Sequence, residues 1–147
     1  MLADRFAPLP ADVAELWAKF PDRDRAYFPS VVGLVVEEIR TDYCRMRLPF
    51  RPELEQPAGV VHGGAIATLI DTVVVPAVGS AYPFGWSYFT VTMDIQFMGA
   101  VVGEDAIAEG WVEQRGRSMV FCRAEVSMAS GNKAAAGTLT YMVKPPR

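Results

Sequence analysis

The feature that most constrains this chain is a long segment with almost no charge, HGGAIATLIDTVVVPAVGSA, at residues 62–81. Asp71 is its only charged residue when His62 is neutral. A helix that is apolar on every side is normally buried, so the segment predicts a central helix with other elements packed around it. Proline lacks a backbone N–H and clashes with the preceding turn, so Pro76 should kink this helix or end its regular part.

Segments typical of β-strands lie on both sides of the predicted helix. Before it, a β-branched run (30–40) and an alternating run (42–50) predict a hairpin around Arg40–Asp42. The polar, turn-rich residues 51–59 predict a loop. After the helix come four strand-like runs, at residues 87–98, 104–115, 117–128 and 133–144. Short turns between these four predict that they are antiparallel neighbours.

The N-terminal region predicts a second, shorter helix. Residues 11–20 place four apolar side chains at helical spacing between Pro10 and Pro21. The order of elements predicts the α+β class, with one antiparallel sheet and one long hydrophobic helix against its face. We expect a single domain over residues 30–147, preceded by an N-terminal helical extension over residues 1–29.

Charge and composition argue against several functions. The 14 lysines and arginines against 17 acidic residues do not favour a nucleic-acid partner. One histidine and two cysteines rule out a site rich in these metal ligands. No signal sequence and no apolar run of ~20 residues is visible, which predicts a soluble cytoplasmic protein with no membrane partner. A disulfide between Cys44 and Cys122 is left open, without support.

The residues that indicate chemistry lie in QPAGVVHGGAIATLID, residues 56–71. The first turn of a helix leaves backbone N–H groups unpaired, and its dipole favours negative charge. Glycines after His62 let a ligand approach that backbone closely, which suits a carbonyl oxygen that becomes negative in a transition state. Asp71 places a carboxylate in an apolar helix, which is costly unless it is paired or used. Gln56 offers an amide donor just upstream.

Each of these features also has a purely structural explanation. The His-Gly-Gly sequence could be a tight entry turn, Asp71 could bond to a sheet edge or a hydroxyl, and Gln56 could be an ordinary loop residue. Their combination within sixteen residues favours a functional site.

Helix geometry adds one constraint. His62 and Asp71 are nine positions apart, which in a straight helix puts them about 180° apart around the axis and about 13 Å apart along it. They cannot form a pair within one helix. If both serve one site, that site joins two chains, which predicts an obligate oligomer with active sites at the subunit interface.

At this point the sequence resembles the hotdog-fold acyl-CoA thioesterases, specifically the PaaI-like branch of the 4-hydroxybenzoyl-CoA thioesterase superfamily. The resemblance is carried by GVVHGGAIATLID (59–71), TVTMDIQFM (90–98) and EQRGRS (113–118), and it covers roughly residues 30–144. It implies a sheet wrapped around one long helix, as the element order predicts. It also implies homodimers with two composite sites each, arranged as dimer-of-dimers tetramers.

The resemblance implies a role for each catalytic candidate. Asp71 looks like the carboxylate that acts as general base for water or as nucleophile on the thioester. Gly63 looks like the backbone N–H donor that polarises the thioester carbonyl, and His62 like the histidine that supports this region and the thiol side. Thr90 stands where the family often has a serine or threonine that helps hold the water. Gln56 stands where the family often has asparagine, and it keeps the amide on a side chain one methylene longer.

The resemblance also implies which residues contact the substrate. Gly64 lies at the helix start, and the turn formed by Arg115, Gly116, Arg117 and Ser118 runs near the CoA nucleotide phosphates in relatives. Taken without the resemblance, the two arginines are better explained as solvated residues at the end of a hairpin.

These residues predict an acyl-CoA thioesterase that releases the free acid and CoA, with CoA as part of the substrate and no separate cofactor. The alternative is a non-catalytic acyl-CoA-binding hotdog protein, such as a ligand sensor. A hotdog dehydratase or hydratase is a third hypothesis, although those enzymes use a different histidine pattern. The aromatic stretch at residues 82–89 either lines an acyl pocket or packs on the core, so the acyl group stays open.

Overall fold

The uncharged segment forms a 17-residue helix at the centre of the fold. The computed structural model describes residues 1–147, and in it this helix, α3 (Gly63–Gly79), packs mainly against the middle strands of a six-stranded sheet. The prediction that Pro76 could end the helix is wrong, because α3 continues to Gly79. Val74, Ala77 and Val78 are fully buried around the proline, and their packing holds the last turn.

The sheet confirms the α+β prediction, and every neighbouring pair of its strands is antiparallel. A separate two-stranded ribbon begins in the predicted loop, at Glu55, and ends just after it, at Val61. The strands are β1 (Val35–Arg40), β2 (Tyr43–Leu48), β3 (Glu55–Gln56), β4 (Val60–Val61), β5 (Ser87–Phe97), β6 (Ala106–Arg115), β7 (Met119–Met128) and β8 (Lys133–Lys144). The large sheet has the order β1-β2-β6-β7-β8-β5, so the predicted hairpin of β1 and β2 is present.

One predicted strand pairing is wrong. β5 pairs with β8 instead of its successor β6, and so it forms an edge of the sheet. The connection between β5 and β6 is a crossover instead of a short turn. Its Met98 N–H bonds to the Ala134 carbonyl, and its Val101 carbonyl accepts from the Val61 N–H beside the start of α3.

The N-terminal region contains two short helices, α1 (Ala11–Trp17) and α2 (Phe28–Val32). α1 begins where predicted but ends three residues earlier, and α2 replaces the beginning of the predicted strand 30–40. The sequence carries a signal for α2, because Pro29 lies in its first turn and Gly33, with φ 91°, ends it. Short 3-10 turns cover Leu2–Arg5 and Pro52–Leu54.

Close contacts fix α3 against its neighbours. A Cβ atom at Gly110 of β6 would lie 2.7 Å from Val73 Cγ1, so only glycine lets the helix lie this close to the sheet. A Cβ atom at Gly79 would lie 2.1 Å from Trp17 Cζ2, so the end of α3 also needs glycine to receive α1. The Gly79–Trp17 contact packs the N-terminal segment onto the end of the central helix.

Tyr43 departs from the predicted alternation of β2. Alternation along residues 42–50 places Tyr43 on the same face as Arg45 and Arg47, yet it is fully buried. The N-terminal 3-10 turn covers that face, and the Phe6 ring stacks on Tyr43 at a centroid distance of 5.1 Å. The Tyr43 hydroxyl donates to Glu109 Oε1 at 2.5 Å, so the buried polar atom has a partner.

The cysteines are part of the core. Cys44 and Cys122 are buried free thiols, and burial raises the pKa of Cys122 to about 12.

No group of three or more His, Cys, Asp and Glu side chains lies close enough together to hold a metal ion. No helix combines the length and the apolar content that crossing a membrane would require.

Candidate active site

The beginning of α3 holds the first group of predicted site residues. His62 caps the helix, and its imidazole Nδ1 accepts a hydrogen bond from the Gly64 N–H at 2.8 Å. A Cβ atom at Gly64 would lie 2.9 Å from that nitrogen, so glycine makes this cap possible. The Gly64 N–H is thus used within the chain. The Gly63 N–H makes no hydrogen bond in the chain and is the free donor at this helix terminus.

Gln56 lies close to this free donor. Its side-chain Oε1 accepts from the Ala58 N–H at 2.8 Å, so the side-chain NH₂ group is the part left to bind a ligand. Gln56 and Gly63 line one cavity of about 360 Å³. The other walls are mostly apolar and come from β4, α3, the end of β5, the β5–β6 connection and β8: Val60, Val61, Ile66, Phe97, Met98, Gly99, Ala100, Val101 and Ala134.

Asp71, in the middle of α3, belongs to a second group. Its carboxylate Oδ1 accepts a hydrogen bond from Thr90 Oγ1 at 2.8 Å and lies 2.6 Å from the Tyr141 hydroxyl. The same hydroxyl lies 2.7 Å from the Asp71 carbonyl oxygen. Asp71 Oδ2 has no hydrogen-bond partner in the chain. A carboxylate with one oxygen held and the other free is arranged to accept a proton or to attack a carbonyl carbon.

The resemblance implied a site role for Thr90, whereas the sequence analysis did not find Tyr141. Thr90 of β5 and Tyr141 of β8 are cross-strand partners, so both side chains lie on the same face of the sheet. Tyr141 is 2% exposed. The signal in the sequence was one tyrosine in an apolar strand, which cannot be assigned until the strand register is known.

The structure keeps these two groups apart. Gln56, His62 and Gly63 lie at the first turn of α3, whereas Asp71 lies more than two turns further along the same helix, a rise of about 13 Å from His62. Asp71 does not line the cavity at the helix start. Within one chain, the candidate oxyanion donor and the candidate base therefore do not face a common point.

The predicted phosphate-binding turn lies near the other end of α3. Arg115 donates from Nε and Nη2 to Asp42 Oδ1, and from Nη2 to the Ala77 carbonyl at 3.0 Å. Its guanidinium is thus engaged within the chain. The Gly116 N–H bonds to the Met119 carbonyl and tightens the turn. Arg117, which is exposed, makes no hydrogen bond or ion pair in the chain, and Ser118 leaves its hydroxyl free.

Part of the aromatic stretch packs on the core and part of it lines a cavity. Tyr82 and Trp86 stack with their ring centroids 4.6 Å apart. Trp86, Tyr88 and Phe89 border an aromatic cavity of about 390 Å³, and so does Val75, one helical turn beyond Asp71. The remaining walls come from the N-terminal segment: Trp17, Phe20, Pro21, Arg23, Tyr27 and Pro29, with Ser87 of β5.

Residues 58–135 match the thioesterase superfamily, and this is more than half of the chain. The chain belongs to the thioesterase superfamily. The matched segment contains all of α3, with His62, Gly63 and Asp71, and it continues through β7. It ends before Tyr141, so the family match does not assign the tyrosine that contacts Asp71.

Individual proteins also resemble this chain, in sequence and in structure. A putative esterase of Mycobacterium tuberculosis, Rv1847, is 37% identical over 59 residues, which cover 40% of this chain and 39% of the relative. The chain thus matches about two fifths of the length of that curated relative. The solved structure of the conserved protein PA5202 from Pseudomonas aeruginosa has a TM-score of 0.77 at 26% identity, covering 81% of this chain and 94% of that one.

The PaaI protein from the phenylacetic acid degradation operon of E. coli superposes with a TM-score of 0.79. The alignment covers 92% of this chain and 93% of PaaI at 14% identity, so it bears on the fold alone. An antiparallel sheet around one long helix is the hotdog fold, and the fold implied by the resemblance is confirmed.

Proposed function

We propose that this thioesterase superfamily member hydrolyses the thioester of an acyl-CoA to the free acid and CoA. The observation that carries the proposal is the carboxylate of Asp71, which lies in an otherwise apolar helix with Oδ1 held by hydroxyl groups and Oδ2 free. The two hydroxyl groups offset part of the cost of placing a carboxylate there, and they leave Oδ2 without a partner and available for chemistry. Thioester hydrolysis supplies a use for this oxygen, because it needs a base or nucleophile beside a positioned water.

The proposed chemistry needs two more groups. If Asp71 acts as the base, it takes a proton from water, the hydroxide oxygen bonds to the carbonyl carbon, and the C–S bond breaks as the thiolate leaves with that proton. If it acts as the nucleophile, its free oxygen bonds to the carbonyl carbon and the C–S bond breaks, which releases the CoA thiolate and leaves an acyl-aspartate anhydride. Water then hydrolyses the anhydride to the free acid and the Asp71 carboxylate, and the proton released goes to the thiolate. In both cases the carbonyl oxygen becomes negative, and the Gly63 N–H and the Gln56 amide are the donors proposed to stabilise it. No cofactor is needed.

The separation of the two groups supports a site shared between two protomers of a homodimer. We propose that Gln56, His62 and Gly63 of one protomer face the partner's Asp71 and Thr90. β5 suits such an interface, because it is an edge strand with an unpaired side. It also exposes large apolar side chains, at Phe89, Val91, Met93 and Phe97. Pairing of dimers into tetramers is part of the same proposal.

A complementation experiment tests the shared site. Asp71→Asn and Gly63→Pro each remove one half of the proposed machinery and are expected to be nearly inactive as homodimers. In a heterodimer, one of the two sites would combine the intact Gly63 of one chain with the intact Asp71 of the other. Equal co-expression with random pairing should then restore about a quarter of the wild-type activity. A mixture as inactive as both parents would show that each site lies within one chain.

Arg117 is the residue that we propose for the CoA phosphates, because Arg115 is engaged with Asp42 and Ala77. Arg117→Ala should raise KM for an acyl-CoA about fivefold, or about 1 kcal/mol, as expected for an exposed charge-assisted contact. KM for the matching acyl-pantetheine, which lacks the nucleotide, should not change. Arg123→Ala, on the outer face of the sheet, is the matched control. Equal changes with both esters would remove Arg117 from the phosphate site.

The aromatic cavity, which Val75 borders one helical turn beyond Asp71, supports an apolar acyl group as the other end of the substrate. The experiment that tests the function is release of free CoA thiol over a panel of short, long and aromatic acyl-CoAs. Turnover that depends on Asp71 supports the proposal. Tight binding without turnover of any ester would contradict it and would favour a non-catalytic acyl-CoA-binding protein.

A further inference from the structure

We infer that Tyr141 is a positioning residue for Asp71, and that together with Thr90 it makes Oδ2 the oxygen that acts on the water or the thioester. This inference rests on the proposed thioesterase function. It concerns a residue that lies outside the matched family segment, on the last strand of the sheet.

The contacts of the carboxylate show why one oxygen is selected. Thr90 Oγ1 and the Tyr141 hydroxyl both lie within hydrogen-bond distance of Oδ1, at 2.8 and 2.6 Å. Neither contacts Oδ2. The two lone pairs of Oδ1 are thus directed at protein donors, whereas those of Oδ2 are free to accept a proton from water or to attack a carbonyl carbon. Rotation of the carboxylate would exchange the oxygens, and the two hydroxyls oppose it.

Tyr141 also holds the rest of the aspartate. Its hydroxyl lies 2.7 Å from the Asp71 carbonyl oxygen, so the phenol contacts both the backbone and the side chain of one residue. Its single proton can bond to either oxygen, and in both cases the distances fix the position of Asp71 relative to β8. Burial raises the pKa of the Tyr141 phenol well above its usual value, and the nearby Asp71 charge adds to this effect. The phenol therefore stays protonated and remains a donor.

The two hydroxyls differ in how firmly they are held. Thr90 is exposed on an edge strand, and the β5–β8 register shifts directly after it, between Thr90 and Thr92. A bulge of this kind re-aims neighbouring side chains. Tyr141 is 2% exposed and is paired on both sides, to Thr90 of β5 and Val120 of β7. The buried tyrosine is thus the fixed point of the pair, and Thr90 completes the arrangement.

Tyr141→Phe removes only the hydroxyl. We expect kcat to fall about ten- to a hundredfold, because the loss of a hydrogen bond to a charged group lets the reacting oxygen move. KM should stay within about twofold, since Tyr141 is 2% exposed and is inferred to act through Asp71. Thr90→Val should lower kcat less than Tyr141→Phe does.

Tyr43→Phe is the matched control. It also removes a buried hydroxyl that donates to a carboxylate, that of Glu109, but it lies on β2 away from Asp71. Both variants should lose similar thermal stability, whereas only Tyr141→Phe should lose kcat. The double variant Tyr141→Phe/Asp71→Asn should be no less active than Asp71→Asn alone, because Tyr141 acts through that carboxylate.

The outcomes separate this inference from the proposed function. If the wild-type protein turns over an acyl-CoA and Asp71→Asn abolishes turnover, unchanged kcat in Tyr141→Phe overturns the inference alone. An equal loss of kcat in Tyr43→Phe would also overturn it, because the effect would then follow stability. If Tyr141→Phe does not fold, Thr90→Val at wild-type kcat overturns it. A wild-type protein without turnover of any acyl-CoA overturns the proposed function and this inference with it.

Discussion

Asp71→Asn is expected to lower kcat for the best acyl-CoA substrate by about 10²- to 10⁴-fold, the range that a positioned acid or base contributes. Asparagine has the same shape as aspartate, and its carbonyl oxygen can still accept from Thr90 and Tyr141. Its NH₂ group, however, would replace the free oxygen, Oδ2, and an amide neither takes a proton from water at neutral pH nor attacks a thioester. Steady-state release of CoA thiol measures the loss.

Asp71→Asn should leave the fold and the oligomeric state unchanged. Asp71 makes no ion pair, and both of its hydroxyl contacts can be kept by an amide oxygen. Thermal unfolding and size-exclusion chromatography should therefore match the wild type. Asp12→Asn is the matched control, because Asp12 is exposed in the first turn of α1 and makes no side-chain hydrogen bond in the chain. Near-wild-type hydrolysis by Asp71→Asn would show that the carboxylate plays no part in the chemistry.

The parts of the fold that could be predicted from sequence are those with a strong local pattern. α3 was predicted from a run of apolar residues and β5 to β8 from four strand-like runs, because both patterns extend over many successive positions. The pairing of β5 with β8 could not be predicted in this way. It depends on the crossover past the start of α3, where Val61 bonds to Val101, and no local pattern reports that contact.

The candidate site also combines residues that a local pattern reveals with a residue that it does not reveal. Gln56, His62, Gly63 and Asp71 lie within one short segment, and their residue types and spacing made them visible together. Tyr141 contacts Asp71 across 70 positions of the chain, so only the strand register brings the two residues together.

For Arg115 a long-range contact has the reverse effect, because it engages a residue that the local pattern indicated to be free. Its charge and its place in a turn suggested a free cation, but Asp42, 73 positions away, binds the guanidinium. Local patterns therefore reveal which residue types are unusual, and tertiary contacts decide which of these residues are free to act.

Gly63→Pro is expected to lower kcat by about 10²- to 10³-fold, the usual effect of losing one oxyanion donor. The change removes the N–H while sparing the helix, because proline is favoured at the first helical position, where the N–H has no intrahelical partner. The residue before a proline must be extended, and His62 already has φ −59° and ψ 134°. The variant should therefore fold and keep the His62 cap. The rate of CoA release, with thermal unfolding as a check, measures the effect.

Gly63→Ala separates the lost donor from the added bulk. Alanine keeps the N–H, and its Cβ would lie 3.5 Å from the Phe97 ring, which is an ordinary contact. Gly63→Ala should therefore retain most of the wild-type kcat, whereas Gly63→Pro should lose it. If both variants lost activity equally, the loss would come from filling the space beside Phe97. The Gln56 amide, which is the other donor of the same cavity, would then be the candidate that stabilises the oxyanion. If neither lost activity, the beginning of α3 would not be where the thioester carbonyl binds.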